Sequence, residues 1–182
     1  AFSIAGDKDT AKIAAMQITA NNAVARRDHN TVAVTVRDVH QNLLQGQNVT
    51  FTVVNGAAVF ADPNGGIVTT DKDGIASVNL ASDQAVNSLI KAETNGSSQS
   101  VEVSFITGDI SQLTSTIKTD DVSYTAGGKI KVSVTLMDEQ KNLVKGMASL
   151  LAGSGVVEVS GTDKNETGNW SEESDGVYTT TR

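Results

Sequence analysis

Cysteine is absent from the 182 residues, proline occurs once, and aromatic residues make up 4% of the chain. Without cysteine no disulfide can staple the fold, which argues against an antibody-like or receptor-ectodomain lineage. The absence suits an intracellular protein, and equally a surface protein that must stay unlocked to cross a membrane. With so few rings, any core must be filled by Val, Ile, Leu and Ala. No run of 18 apolar residues occurs, so no membrane-spanning helix is encoded. Residues 1–9 have neither a basic start nor an apolar centre, so no signal peptide is read there, and an interior piece of a longer protein is expected. Basic residues are also few. The net charge of −7 and pI near 4.7 oppose nucleic acid or an anionic membrane as partners. The basic pair Arg26-Arg27 is followed by Asp28 and reads as a solvated loop.

Catalytic and metal-binding patterns are equally sparse. His29 and His40 both fall in expected loops, with no cysteine and no serine-nucleophile motif to join them. A zinc site needs three or four His, Cys or carboxylate ligands, which two lone histidines do not supply. Asp71-Lys72-Asp73-Gly74 looks like the start of a calcium loop, but the residues after it lack the further oxygen ligands and the closing Glu, so a plain hairpin turn is expected. Asp7, Asp109, Asp120 and Asp121 are candidates to line inter-domain joints, or are simply solvated. Trp170 reads as a core plug before a carbohydrate platform, and Asn48, Asn95, Asn165 and Asn169 head Asn-x-Ser/Thr triplets that arise readily in so Asn-, Ser- and Thr-rich a chain. No catalytic, cofactor or metal residue is assigned.

What is present is a repeat. Residues 32–46, VAVTVRDVHQNLLQG, return after adding 100 as residues 132–146, VSVTLMDEQKNLVKG. Val32/Val132, Val34/Val134, Thr35/Thr135, Asp38/Asp138, Asn42/Asn142, Leu43/Leu143 and Gly46/Gly146 are identical. In both copies an alternating strand, apolar on one face, runs into a polar turn holding Asp and Asn. The length allows one domain or two, and a repeat at this period, about the size of one small β-sandwich, decides for two in tandem.

Alternation places strands at residues 13–20, 31–38, 48–54, 57–60, 67–70, 75–80, 89–94 and 98–106, with a polar loop at 21–30 and hairpin turns at 71–74 and Asn95-Gly96. The second copy reads as strands at 113–117, 130–136, 146–152 and 156–160, then Trp170 and Asp175-Gly176. Val34, Val36, Val49, Phe51, Val53, Ile75, Val78, Leu80, Val101 and Val103 are the expected first core, although Ile75 and Val78 lie on opposite parities of one strand. Residues 1–7 resemble the 104–109 stretch, each ending in Gly-Asp, so residues 1–6 read as the tail of a preceding domain, followed by domain 1 at 7–106 and domain 2 at 107–182. Asp175-Gly176 corresponds to Asp73-Gly74, so domain 2 is expected to lack its last two strands in this chain.

These residues resemble the bacterial Ig-like domains of the intimin/invasin adhesins, the inverse autotransporters of Gram-negative outer membranes. The pattern is carried by residues 36–46, 49–53, 70–80 and 101–105, and in the second copy by the variant Trp170…Asp175-Gly176-Val177-Tyr178-Thr179. The resemblance implies an all-β fold of two Ig-like sandwiches, serving as stalk or spacer modules at the bacterial cell surface, outside the outer membrane. It implies a passenger of an outer-membrane β-barrel that supports attachment to a host cell-surface or matrix protein, with no enzymatic activity and no cofactor. Nothing of the family's lectin-like tip is seen. Three alternatives stay open: the modules themselves bind the receptor, they accompany a surface enzyme such as a glycoside hydrolase, or they form a pilin-like subunit completed by a partner's strand.

Overall fold

The computed structural model describes residues 6–153, 156–157 and 169–181, and the chain divides into two compact units, Ala1–Ile106 and Thr107–Arg182. Unit 1 is built mainly of β-strands, and strands are the main regular structure among the described residues of unit 2. Among the described residues no helix is long and apolar enough to cross a membrane.

Unit 1 opens with a 3-10 turn, Lys8–Thr10, capped by the Asp7 side chain. Nine strands follow: β1 (Lys12–Ala20), β2 (Ala23–Val24), β3 (Asn30–Arg37), β4 (Asn48–Asn55), β5 (Ala58–Phe60), β6 (Ile67–Thr69), β7 (Ile75–Ser82), β8 (Asn87–Thr94) and β9 (Ser97–Ile106). They form two sheets, ordered β1-β3-β7-β5 and β2-β9-β8-β4-β6, antiparallel throughout except for the parallel β2–β9 pair. The sandwich follows from period-2 alternation: Val32, Val34 and Val36 on β3 and Ala76, Val78 and Leu80 on β7 point inward from the first sheet. Val49, Phe51, Ile90, Ala92, Val103 and Phe105 meet them from the second. Burying each large aliphatic or Phe side chain is worth roughly 1.5–3 kcal/mol, which makes this face the main source of stability.

Of the expected core, Val34, Val36, Val49, Phe51, Val78, Leu80 and Val103 are buried, and Val53 and Val101 pack against it partly buried. Ile75 is a correction. It pairs with Thr35 on the outer face, because Ala76, pairing with Val34, holds the inward parity. The 21–30 loop is a second correction: Ala23, Val24 and Ala25 are buried and the first two form β2. A third concerns residues 71–74. They join β6 in one sheet to β7 in the other, so the turn is an inter-sheet corner and not a hairpin. Asn95-Gly96 does close the β8–β9 hairpin, with φ of 47° and 76° at its two central residues, as a type I′ turn requires.

Unit 2 has one four-stranded antiparallel sheet among the described residues: β10 (Thr116–Thr119), β11 (Lys131–Thr135), β12 (Ser171–Ser174) and β13 (Val177–Thr181), ordered β10-β11-β13-β12. A one-turn helix, α1 (Ala148–Leu151), lies between β11 and β12 in sequence. Val132, Val134 and Tyr178 from the sheet join Leu136, Val144, Leu151 and Trp170 in its core. The strand expected at 146–152 is therefore replaced by a helix, since Met-Ala-Ser-Leu-Leu-Ala is rich in helix formers where unit 1 has Val-Thr-Phe-Thr-Val-Val. The strand expected at 113–117 begins at Thr116 instead, and Leu113 is almost fully exposed. Val156 and Val157 lie in a turn and a bend, while 158–160, like residues 1–5 and Asn165, fall outside the described residues.

Candidate functional site

The repeated stretch folds into one device that occurs in both units. After β3, Asp38 turns the chain: its N–H donates to the Asn42 carbonyl (3.0 Å) and its carbonyl accepts from Gln41 N–H (3.1 Å). Gln41 closes the turn at φ 67°. After β11 the same bonds run from Asp138 N–H to Asn142 (3.1 Å) and from Lys141 N–H to Asp138 (3.0 Å), with Lys141 at φ 64°. The chain then folds back, so that Leu44 N–H donates to Val36 and Val144 N–H donates to Leu136.

Both aspartates point inward and are only 3% and 0% exposed, which is unusual for carboxylates. Hydrogen bonds make this tolerable. Asp38 Oδ1 accepts from the backbone N–H of His40 and Asn42 (both 2.9 Å), and Oδ2 accepts from Asn42 Nδ2 (3.0 Å) and Asp7 N–H (3.1 Å). Asp138 accepts from Asn142 N–H and Nδ2 (both 2.8 Å), and from Gly108 N–H (2.8 Å). Burial opposes ionisation of Asp38, but the Asn42 amide and the N–H groups of Asp7, Asn42 and His40 outweigh it and hold the carboxyl down at about 2. Asp138 is lowered likewise, burial being overcome by Asn142, Gly108 and the Gln140 backbone.

In each unit the donor from outside the turn belongs to the segment by which the chain enters it: Asp7, 31 residues before its aspartate, and Gly108, 30 residues before its own. The carboxylate is an anchor for the incoming backbone. Its oxygens are engaged by N–H donors, so it is ill placed to accept a substrate proton or ligate a metal.

A neighbouring glycine completes the device. Gly74 (φ 71°) presents its carbonyl to Val36 N–H (2.8 Å), and Gly176 (φ 68°) presents its own to Leu136 N–H (2.9 Å). A Cβ there would lie 2.9 Å from the Val36 carbonyl in one unit and 2.9 Å from Leu143 Cβ in the other, so glycine is required on both counts.

The other residues singled out in the sequence do not converge. His29 and His40 are exposed in separate loops. Asp71 Oδ1 accepts the N–H groups of Asp73 (2.9 Å) and Ile75 (3.0 Å), which makes it the cap of its own turn. Among the described residues no three His, Cys, Asp or Glu side chains are grouped to hold a metal ion. Asp120 is engaged by Tyr124, whose hydroxyl lowers its carboxyl. Trp170 is 8% exposed in the second core and is not a surface platform. A shallow depression of about 540 Å³ beside the first anchor is lined by Asp9, Thr10, Lys12, Val39, Asn95 and their neighbours, with no convergent chemistry. Sequence reasoning missed the anchor role of Asp38 and Asp138. The available signal was a charged residue kept identical between copies where its neighbours had changed.

The sequence matches the family described as bacterial Ig-like domain (group 1) over residues 13–106. Over 147 residues, 79% of this chain, it is 32% identical to the inverse autotransporter adhesin YeeJ of Escherichia coli (strain K12), and it spans 6% of that relative's length. Among solved structures, the Escherichia coli adhesin FdeC is similar over 98% of this chain and 56% of its own, at TM-score 0.50 and 20% identity. Invasin, a bacterial integrin-binding protein, is similar over 92% of this chain and 32% of its own, at TM-score 0.51 and 23% identity. At these identities the two structures share a fold with the chain.

Proposed function

The chain belongs to the bacterial Ig-like domain (group 1) family, and from that premise we propose that its two units are spacer modules in the extracellular stalk of a bacterial outer-membrane adhesin. In this reading they are carried as passenger of an outer-membrane β-barrel, hold a binding tip away from the cell surface, and support attachment to a host cell-surface or matrix protein. They perform no catalysis. YeeJ and FdeC are adhesins and invasin is an integrin-binding protein, which supports the surface role. The observation that carries the spacer reading is the anchor itself. A module that spaces must hold its incoming chain in a fixed path, and each unit spends a buried carboxylate on doing so.

The test exchanges these modules, within the longer protein displayed on cells, for an unrelated β-sandwich pair of equal length. Spacers predict that adhesion is retained, and that the purified 182-residue chain shows no saturable binding to host cells or matrix. Saturable binding by the chain alone, with adhesion lost on exchange, would instead make the modules the receptor-binding element.

A further inference from the structure

Unit 1 carries a second set of polar contacts that its anchor does not use. At the start of β1, Ile13 N–H donates to Ser97 Oγ (3.1 Å), and Gln99 Nε2 donates to the Ile13 carbonyl (3.2 Å). Farther along, Ser104 N–H donates to Asn21 Oδ1 (2.9 Å). Asn30, fully buried, then bridges two segments: its Oδ1 accepts from Ala23 N–H (3.0 Å) and its Nδ2 donates to the Ser104 carbonyl (2.9 Å). Beyond it β2 pairs with β9 in parallel, Ala23 with Phe105 and Val24 with Ile106, and Ala25 N–H donates to the Ile106 carbonyl (2.9 Å). The first strands of the unit are thereby tied to its last strand at several points along their length.

Direction gives these ties a meaning. In a stalk, load enters unit 1 before β1 and leaves after Ile106. Passed on through β1, which β3 also holds, it draws β2 back toward its N-terminus and β9 forward toward its C-terminus. Because the two strands are parallel, these pulls slide one along the other, and the cross-links between them resist together instead of opening one at a time.

We propose that Asn30 is the load-bearing clamp residue of unit 1, and that with Asn21 and the β2–β9 pair it sets the force at which the unit opens when pulled from its ends. The proposal rests on the spacer reading for the direction of the load. Adding 100 gives Ile130 in unit 2, an apolar side chain packed against its core, so the amide bridge is not repeated there.

The experiment holds the 182-residue chain by its two ends at constant force and times the extension step of unit 1, which for about 100 residues releases roughly 330 Å of chain. Asn30→Ala removes both hydrogen bonds of the bridge, one of them buried, so the loaded lifetime should fall about 10- to 100-fold. Asn21→Ala removes one exposed bond and should shorten it about 2- to 10-fold. Val49→Ala, in the core on β4, weakens the unit at equilibrium, yet should change the loaded lifetime less than about threefold, because its contacts persist until the clamp has parted. The clamp is overturned if Asn30→Ala leaves the lifetime within about threefold of the wild type, or if Val49→Ala shortens it as much. Should Asn30→Ala not fold, Asn21→Ala decides: a lifetime within about twofold of the wild type overturns the clamp. Module exchange tests spacing without any force measurement, so a failed clamp leaves the spacer reading standing.

Discussion

Unit 1 and unit 2 place the same anchor turn in differently wired sheets. In unit 1 the chain reaches Gly74 from β6, across the sandwich; in unit 2 it reaches Gly176 from β12, hydrogen-bonded alongside β13 in the same sheet. The atoms that meet the turn also change. The Leu44 carbonyl accepts from the Thr70 hydroxyl, whereas the equivalent Val144 carbonyl accepts from the Tyr178 hydroxyl (2.7 Å). Gly46 N–H donates to the Thr70 backbone, whereas Gly146 N–H donates to a Glu172 carboxylate oxygen (3.1 Å). What the two share is the aspartate, the asparagine four residues on, and a left-handed glycine just before the adjacent strand. The anchor is therefore a local device, defined by three side-chain identities and indifferent to how the rest of the module satisfies its periphery.

The comparison can be broken most strongly at the two hydroxyls that serve the same carbonyl. Tyr178 is fully buried and also fills the second core. Tyr178→Ala should cost unit 2 about 3–5 kcal/mol, while Thr70→Ala should cost unit 1 only about 1–3 kcal/mol, because it removes two hydrogen bonds without emptying a core. Urea unfolding reads both, with fluorescence of Trp170, the sole tryptophan, reporting unit 2. Equal costs would mean that Tyr178 packs no better than Thr70.

A smaller difference is expected at the asparagines. Asn142 is 5% exposed, whereas Asn42 is half-buried. Asn142→Ala should cost about 2–3 kcal/mol and Asn42→Ala about 1 kcal/mol, since water can replace the lost partner of Asp38 more readily. The reverse order in the same melts would contradict the burial reading.

Acid should act on both units in the same direction. Asp38 titrates in the folded unit at about 2, below its ordinary 3.8. A lowered carboxyl contributes stability above its unfolded value and loses it as pH falls through the folded one, so unit 1 should weaken between pH 3.8 and about 2. Asp138 and Glu172 are lowered as well, Glu172 by the N–H groups of Gly176 and Gly146, so unit 2 should also weaken as pH falls, beginning from the higher ordinary Glu value of 4.5. Urea midpoints that stay flat from pH 5 down to pH 2 would show that these carboxylates gain nothing from folding.

Much of unit 1 was legible because Val-x-Val-x-Val alternation on β3 and the Asn95-Gly96 turn each admit one reading. Ile75 misled because its neighbour Ala76 is small and carries little hydrophobic signal, although it is the residue that points inward. Residues 146–152 misled for a different reason. Projecting the first copy onto the second carried a strand into a stretch whose own composition favours helix, and local propensity prevailed where the copies had diverged. The short strand β2 lay hidden among polar neighbours, because two buried residues are too few to show a period. The anchor's residues were visible as identities, but a buried carboxylate that receives the backbone of a segment about 30 residues upstream leaves no local pattern.

The central claim is that each buried aspartate fastens the segment by which the chain enters its unit. Amide hydrogen exchange at Asp7 and Gly108 tests it directly, in the wild type and in Asp38→Ala and Asp138→Ala. Both amides should be protected in the wild type. Each substitution should cut protection at least about tenfold at its own partner, Asp7 for Asp38 and Gly108 for Asp138, and leave the other unchanged. If both amides already exchange in the wild type at the rate of open chain, or if either substitution leaves its partner's protection intact, the anchors do not hold the incoming chain.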